Sequence, residues 1–191
     1  MSPSVTEHTA GLKDYREFIA AAAASTATSK VIVSPHDLRA AVVVAELFRR
    51  SQRQVDIVTG ALDPDIYCEG ECIRAARDFL IRHSDAQIRI LSEKGVSADH
   101  PFIVEMADLG PRVHSLLVPP KLQELYRYQF ILGDGHHFRF QPSRDSREAL
   151  VRFADADNGN KLQLAFDSLY SEVKRAVAVR AAPALSAFNA A

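Results

Sequence analysis

The sequence predicts an α/β fold. Short β-branched or alternating runs, at Val31 to Val33, Val55 to Thr59 and Gln87 to Leu91, are interleaved with segments whose apolar residues recur at helical spacing. A strand-rich stretch from Tyr126 to Phe153 follows, and a closing amphipathic helix ends the pattern. The length of 191 residues is enough for one domain with a sizeable core, and no linker divides it.

Taken in order, residues 1–10 are polar, without an apolar period, and are expected to be loose. Leu12, Tyr15, Phe18 and Ile19 make one stripe of a helix ending near Ala24. After the Val31 strand, Ser34 and Pro35 read as the cap and first position of a helix that runs to Ser51. Val55 to Gly60 is the second strand, and residues 61–71 read as a loop. Glu71 to His83 reads as a helix with Ile73, Ala76, Phe79 and Leu80 inward. Gln87 to Leu91 alternates as a strand with one covered face. A short helix from Pro101 and a strand from Arg112 to Val118 come next. Tyr126 to Leu132 and His137 to Phe140 form a hairpin around Asp134-Gly135. Ala149 to Phe153 is a further strand, and the Asp155 to Asn160 run reads as a turn whose Asx residue caps a helix starting at Lys161. One domain over residues 11–176 and an alanine-rich tail over 177–191 are the expected organisation.

The net charge of −1 and pI near 6.7 argue against a general nucleic-acid or membrane-surface binder, so any such role needs a local patch. Cys68 and Cys72 provide no disulfide framework and no second pair for a metal, so neither metal nor cofactor is expected. No signal-like segment and no long apolar run is visible, which makes the cytoplasm the expected location.

The stretch Arg127-Tyr128-Gln129-Phe130-Ile131-Leu132-Gly133-Asp134-Gly135 carries a resemblance. Together with the opening strand–helix–strand and the closing strand and helix, it resembles the motif strand of a single-motif, nuclease-type member of the phospholipase D superfamily. The resemblance covers about Ser29 to Arg175. It implies a mixed sheet flanked by helices, here with an extra N-terminal helix, and two copies paired as a homodimer. That family's motif is His-x-Lys-x4-Asp, in which a neutral His attacks phosphorus and the Lys stabilises its oxygens. With Asp134 as the Asp, the His position holds Arg127 and the Lys position holds Gln129. A guanidinium stays protonated and cannot be that nucleophile. The resemblance therefore implies a catalytically degenerate domain.

From Arg112 to Arg147 there are six Lys or Arg against three acids. Arg127, Gln129, Asp134, His136, Arg139 and Arg144 are the candidate ligand-binding residues, for a phosphate or other small anion held by guanidinium groups. Arg112 and His114 are expected nearby. The alternative is that these alternating residues face water or pair with Asp134, Asp145 and Glu148. His137 and Asp134 are the candidates for a rearranged phosphodiesterase or nuclease site. A non-catalytic nucleic-acid binder, or a module that recognises a protein partner, completes the set.

Overall fold

The structure, a computed structural model, describes residues 5–35 and 38–188. The elements are α1 (Val5–Ala24), β1 (Ile32–Pro35), α2 (Leu38–Arg50), β2 (Gln54–Thr59), α3 (Pro64–Tyr67), α4 (Gly70–Arg82) and β3 (Gln87–Ser92). Then come α5 (Pro101–Val104), a 3-10 turn at Ala107–Leu109, β4 (Val113–Leu117), α6 (Pro120–Gln123), β5 (Gln129–Gly133), β6 (His137–Gln141), β7 (Glu148–Arg152) and α7 (Ala156–Phe188). The strands form one sheet in the order β1-β7-β6-β5-β2-β3-β4. β2, β3 and β4 are parallel, while β5, β6, β7 and β1 continue the sheet antiparallel. This mixed, helix-flanked sheet is the architecture expected from the sequence.

Strand alternation divides the sheet into two faces. Val55 and Ile57 of β2, Ile88 and Ile90 of β3, and Ile131 of β5 pack with α1, α2 and α4 in the larger core. Val58, Leu91, Phe130, Leu132 and Phe138 point the other way and meet Phe166, Leu169 and Val173 of α7. α2 is apolar almost all round and nearly every residue from Ala40 to Phe48 is buried, as a helix sandwiched between a sheet and other helices requires. Its acid, Glu46, is buried beneath Arg49 and Arg50. Glu71 of α4 ties Arg16 of α1 to Arg49 of α2, both at 2.8 Å.

On the α7 face, Asp56 is fully buried in mid-strand. Arg89 of β3 grips it through Nε and Nη2 at 2.7 and 2.8 Å, and Gln54 and Gln163 each donate an amide N–H at 2.8 Å. Arg89 also reaches Asp167 and lies over the rings of Phe166 and Tyr170, at 4.6 and 5.1 Å. Burial pushes the Asp56 carboxyl up, and Arg89 pulls it back.

Several expectations are corrected. Ser34 and Pro35 belong to β1 rather than to a helix start, and α2 is seen from Leu38. β1 is an edge strand, where a residue without an N–H is tolerated. His36 and Asp37, where that first helical turn was expected, lie outside the described residues. α1 already includes residues 5–10. Phe18 is exposed, and Ala23 joins Ile19 against the core. The loop over residues 61–71 holds α3 and the start of α4. α7 starts at Ala156, so the Asp/Asn/Gly run is its first turn. Asp155 caps that turn by accepting the Asn158 N–H at 3.1 Å.

Arg89→Met leaves Asp56 as a buried carboxylate with only amide partners. It should lower unfolding free energy by about 3–5 kcal/mol in urea titration, whereas adding Asp56→Leu should recover much of that loss.

Candidate functional site

A cleft of about 660 Å³ opens where the carboxyl ends of parallel β2 and β3 meet the start of β5. Crevices at strand carboxyl ends are where sheets of this kind hold ligands. α2 and α3 roof it through Val44, Ile66 and Tyr67. Thr59 and Gly60 end β2, Glu93 and Lys94 follow β3, and the loop after β6 supplies residues 144–147.

Arg139 forms the floor. It sits in the middle of β6, where alternation sends it towards the helices with His137 and Gln141, away from α7. Its cross-strand neighbours are Ile131 of β5 and Val151 of β7, both buried and apolar. Only 7% of its surface is exposed, yet Nε and Nη2 have no hydrogen-bond partner among the described residues. Burial lowers its pKa, opposed by the nearby Tyr67, Tyr15 and Asp63. A guanidinium nevertheless remains charged at any ordinary pH. An unmet buried donor costs about 1–3 kcal/mol, and more when it carries charge.

Arg144 on the rim, by contrast, is already paired. Arg144 donates to Glu93 at 2.7 Å and to the backbone carbonyls of Gln123 and Tyr126. Burial pushes the Glu93 carboxyl up while Arg144 pulls it down. Gln141 donates its amide to the carbonyls of Arg144 and Ser146, which holds the rim loop. The Gln129 amide lies over Gly60, where an added Cβ would stand 3.1 Å from its nitrogen. Two of the cleft's hydroxyls are also engaged: Thr59 donates to the Ala61 carbonyl and Ser146 to that of Glu148. No histidine or cysteine lines the cleft among the described residues.

The candidates from the sequence therefore divide. Gln129, Arg139 and Arg144 meet in the cleft. Asp134 lies about five strand residues, or roughly 17 Å, from Gln129 at the other end of β5, while His137 opens β6 two residues before Arg139 and, like His136, does not line the cleft. Arg127 precedes β5, is exposed and does not line the cleft. Arg112 is elsewhere too, donating to the carbonyls of Leu80, His83, Ser84 and Leu109, and His114 is exposed on β4. Tyr67, Gln141 and Arg147 were missed. The signal for them was the pair of parallel strand ends at Thr59-Gly60 and Ser92-Glu93.

Asp134 has a structural task. At φ 49° it turns the chain, and its carboxylate accepts the backbone N–H groups of Gln52, Arg53 and Gln54 at 2.7, 3.0 and 2.9 Å. His136 donates from Nδ1 to the Asp134 carbonyl, and His137 Nδ1 accepts the Ala154 N–H at 3.0 Å. Burial, helped by His136, lowers the His137 pKa to about 4. It is neutral near pH 7 but is not part of the cleft lining.

Comparison with known proteins supports the fold. The chain matches TrmBL2, whose structure is described as that of an archaeal chromatin protein showing a novel mode of DNA binding. The match has a TM-score of 0.55 and 12% identity over 88% of this chain. It spans 63% of the TrmBL2 chain. NucT from Helicobacter pylori matches with a TM-score of 0.50 and 13% identity, over 76% of this chain and 97% of NucT. No curated protein matches the sequence. The family model described as "Domain of unknown function (DUF7931)" matches residues 34–181, and the chain belongs to that family.

Asp134→Ala should cost about 2–4 kcal/mol in denaturant unfolding, and Asp134→Asn less, since one oxygen still accepts. His137 generates a pH dependence. An unfolded chain takes up this proton near 6.5 and the folded chain only near 4. Stability should fall by about 1.4 kcal/mol per pH unit as pH drops through that window, about 3 kcal/mol in all, and level off below it. Urea titrations of His137→Gln should lack that slope.

Proposed function

We propose that this chain is a non-cleaving phospholipase D-like domain that binds an anionic ligand in the cleft through Arg139. The observation that carries this reading is the Arg139 guanidinium, buried in mid-strand with two N–H donors unpartnered among the described residues, in the lining of a cavity of ligand size. Arg127 and Gln129 at the motif's His and Lys positions support the absence of cleavage. The His137 site considered from the sequence lacks support, since that imidazole is tied to Ala154 at the far end of β6. Pairing of two copies, implied by the fold resemblance, is part of the proposal. It predicts a concentration-dependent dimer in light scattering.

A nucleic-acid ligand is the second reading, prompted by the DNA binding in the TrmBL2 description. The paired state of Arg144 favours a small anion over it, because a polyanion would have to break that ion pair to gain a phosphate contact.

The test compares wild type with Arg139→Met. The variant should be at least as stable as wild type in urea, because an unpaired buried charge is replaced by an apolar chain of similar length. Calorimetric titration with a panel of small anions should give binding to wild type alone. Neither protein should release nitrophenol from bis(p-nitrophenyl) phosphate. Turnover by wild type that disappears in Arg139→Met would sink the non-cleaving part. Equal anion binding by both proteins would sink the site.

A further inference from the structure

We infer that the loop between β6 and β7 is a strap across the mouth of the cleft, latched by Arg144 to Glu93, and that a ligand enters when the latch lets go. Such a latch governs entry whether or not Arg139 holds an anion. The sheet order puts the strap there. Gln141 ends β6 opposite Gln129, the first residue of β5, and Thr59 ends β2 opposite Ser92, the last residue of β3. β5 and β2 are neighbours, with Val58 paired to Phe130 one step further in. Gln141, Gln129, Thr59 and Ser92 therefore form one row along the ends of four strands. The chain leaves that row at β6 as residues 142–147 and at β3 as Glu93. Three strand spacings, about 14 Å, separate the two exits. Arg144 nevertheless meets Glu93 at 2.7 Å. An arginine side chain is shorter than that gap, so the loop itself leans over the ends of β5 and β2. Arg144 and Glu93 both line the cleft, with Gln129 and Thr59 between them.

The two ends of the strap are built firmly. At the hinge, buried Gln141 donates its amide to the carbonyls of Ser146 and Arg144 at 2.8 and 3.4 Å, and the Ser146 N–H returns to the Ser143 carbonyl at 3.1 Å. The loop is thus a turn closed on itself, able to swing as a unit. At the catch, the Glu93 N–H donates to the Thr59 carbonyl at 3.1 Å. The Gln123 amide donates to the carbonyls of Glu93 and Val118 at 3.0 and 2.7 Å.

The tip is held differently. Among the described residues, the bonds joining it to the catch leave one atom, Arg144 Nη2, which reaches Glu93 and the carbonyls of Gln123 and Tyr126 at 2.5 and 3.4 Å. No residue from Pro142 to Arg147 is buried, so no apolar anchor adds to that nitrogen. A segment tied down by polar bonds without buried apolar surface belongs to the low end of local stability, where opening precedes global unfolding. The charge-assisted bond to Glu93 is the strongest of the three ties, and its loss frees the tip.

Thiol labelling of the full chain with a bulky maleimide tests this. Thr59→Cys places a thiol under the strap, at a position only 6% exposed. Cys68→Ser removes the half-buried native thiol, and the fully buried Cys72 stays as the reporter of global unfolding. In that background the introduced thiol should react before Cys72. Glu93→Gln and Arg144→Met should each speed its reaction by about tenfold or more while Cys72 keeps its rate. Combining the two should match Arg144→Met alone, because both open one latch. Arg147→Met, in the same loop but outside the latch, should change nothing. One rate for the introduced thiol in all these proteins would overturn the strap. So would acceleration that Cys72 shares, or that Arg147→Met reproduces.

Discussion

The three hydrogen bonds from Asp134 to the backbone before β2 hold the two halves of the sheet together. The parallel half ends at β2 and the antiparallel half begins at β5, so the β2–β5 seam sets how one half is registered on the other. The Asp134 carboxylate accepts three consecutive N–H groups, Gln52 to Gln54, and its own N–H returns to the Gln54 carbonyl. With that end fixed, β5 runs along β2 in one register and delivers Gln129 to the cleft at the opposite end. The first turn of α7 leans on the same corner. A Cβ at Gly159 would collide with the Gly135 backbone, and the Asp155 N–H donates to the His136 carbonyl.

α7 is held along its length by a different device. Asp56 and Arg89 occupy adjacent strands under its middle, and Gln163, Asp167, Phe166 and Tyr170 all engage that pair. A buried ion pair of this kind returns little net stability, since desolvation offsets the attraction. What it supplies is position: only one rotation of α7 puts an amide, a carboxylate and two rings on the same guanidinium. The two cores on opposite faces of the sheet are thus locked in relation to each other at the seam and along α7, and the cleft opens on the face that α7 does not cover.

Much of this was legible in the residues, and the exceptions have physical causes. β2, β3 and α4 could be read because their apolar patterns match one covered or two covered faces. Pro35 misled because proline at a helix start and proline in an edge strand look alike without the sheet order. An Asx residue of the 155–160 run was expected to cap a helix from Lys161; the cap is Asp155, and the helix starts at once, at Ala156. The candidate site misled for a deeper reason. In β6 the alternation of His137, Arg139 and Gln141 with Phe138 and Phe140 looks like a polar face to water and an apolar face to the core. Both faces are in fact covered, and the polar one lies under α2 and α3. Sequence spacing linked Asp134 to Gln129, while a strand of five residues holds them apart. A local conflict between residue type and burial is what a functional site leaves behind, and it becomes visible only once the layers are known.

The state of the other cations gives that conflict its meaning. Arg49, Arg50, Arg77, Arg89, Arg144 and Arg152 each lie within an ion pair with a carboxylate of this chain. Charge so placed stiffens joints between elements. Arg139 departs from that pattern in the most costly place, in mid-strand between Ile131 and Val151. An isoleucine or methionine there would complete the core at lower free energy. The conflict at Arg139, a charged side chain buried in the cleft lining with two donors unpartnered among the described residues, is what the proposed anion site rests on.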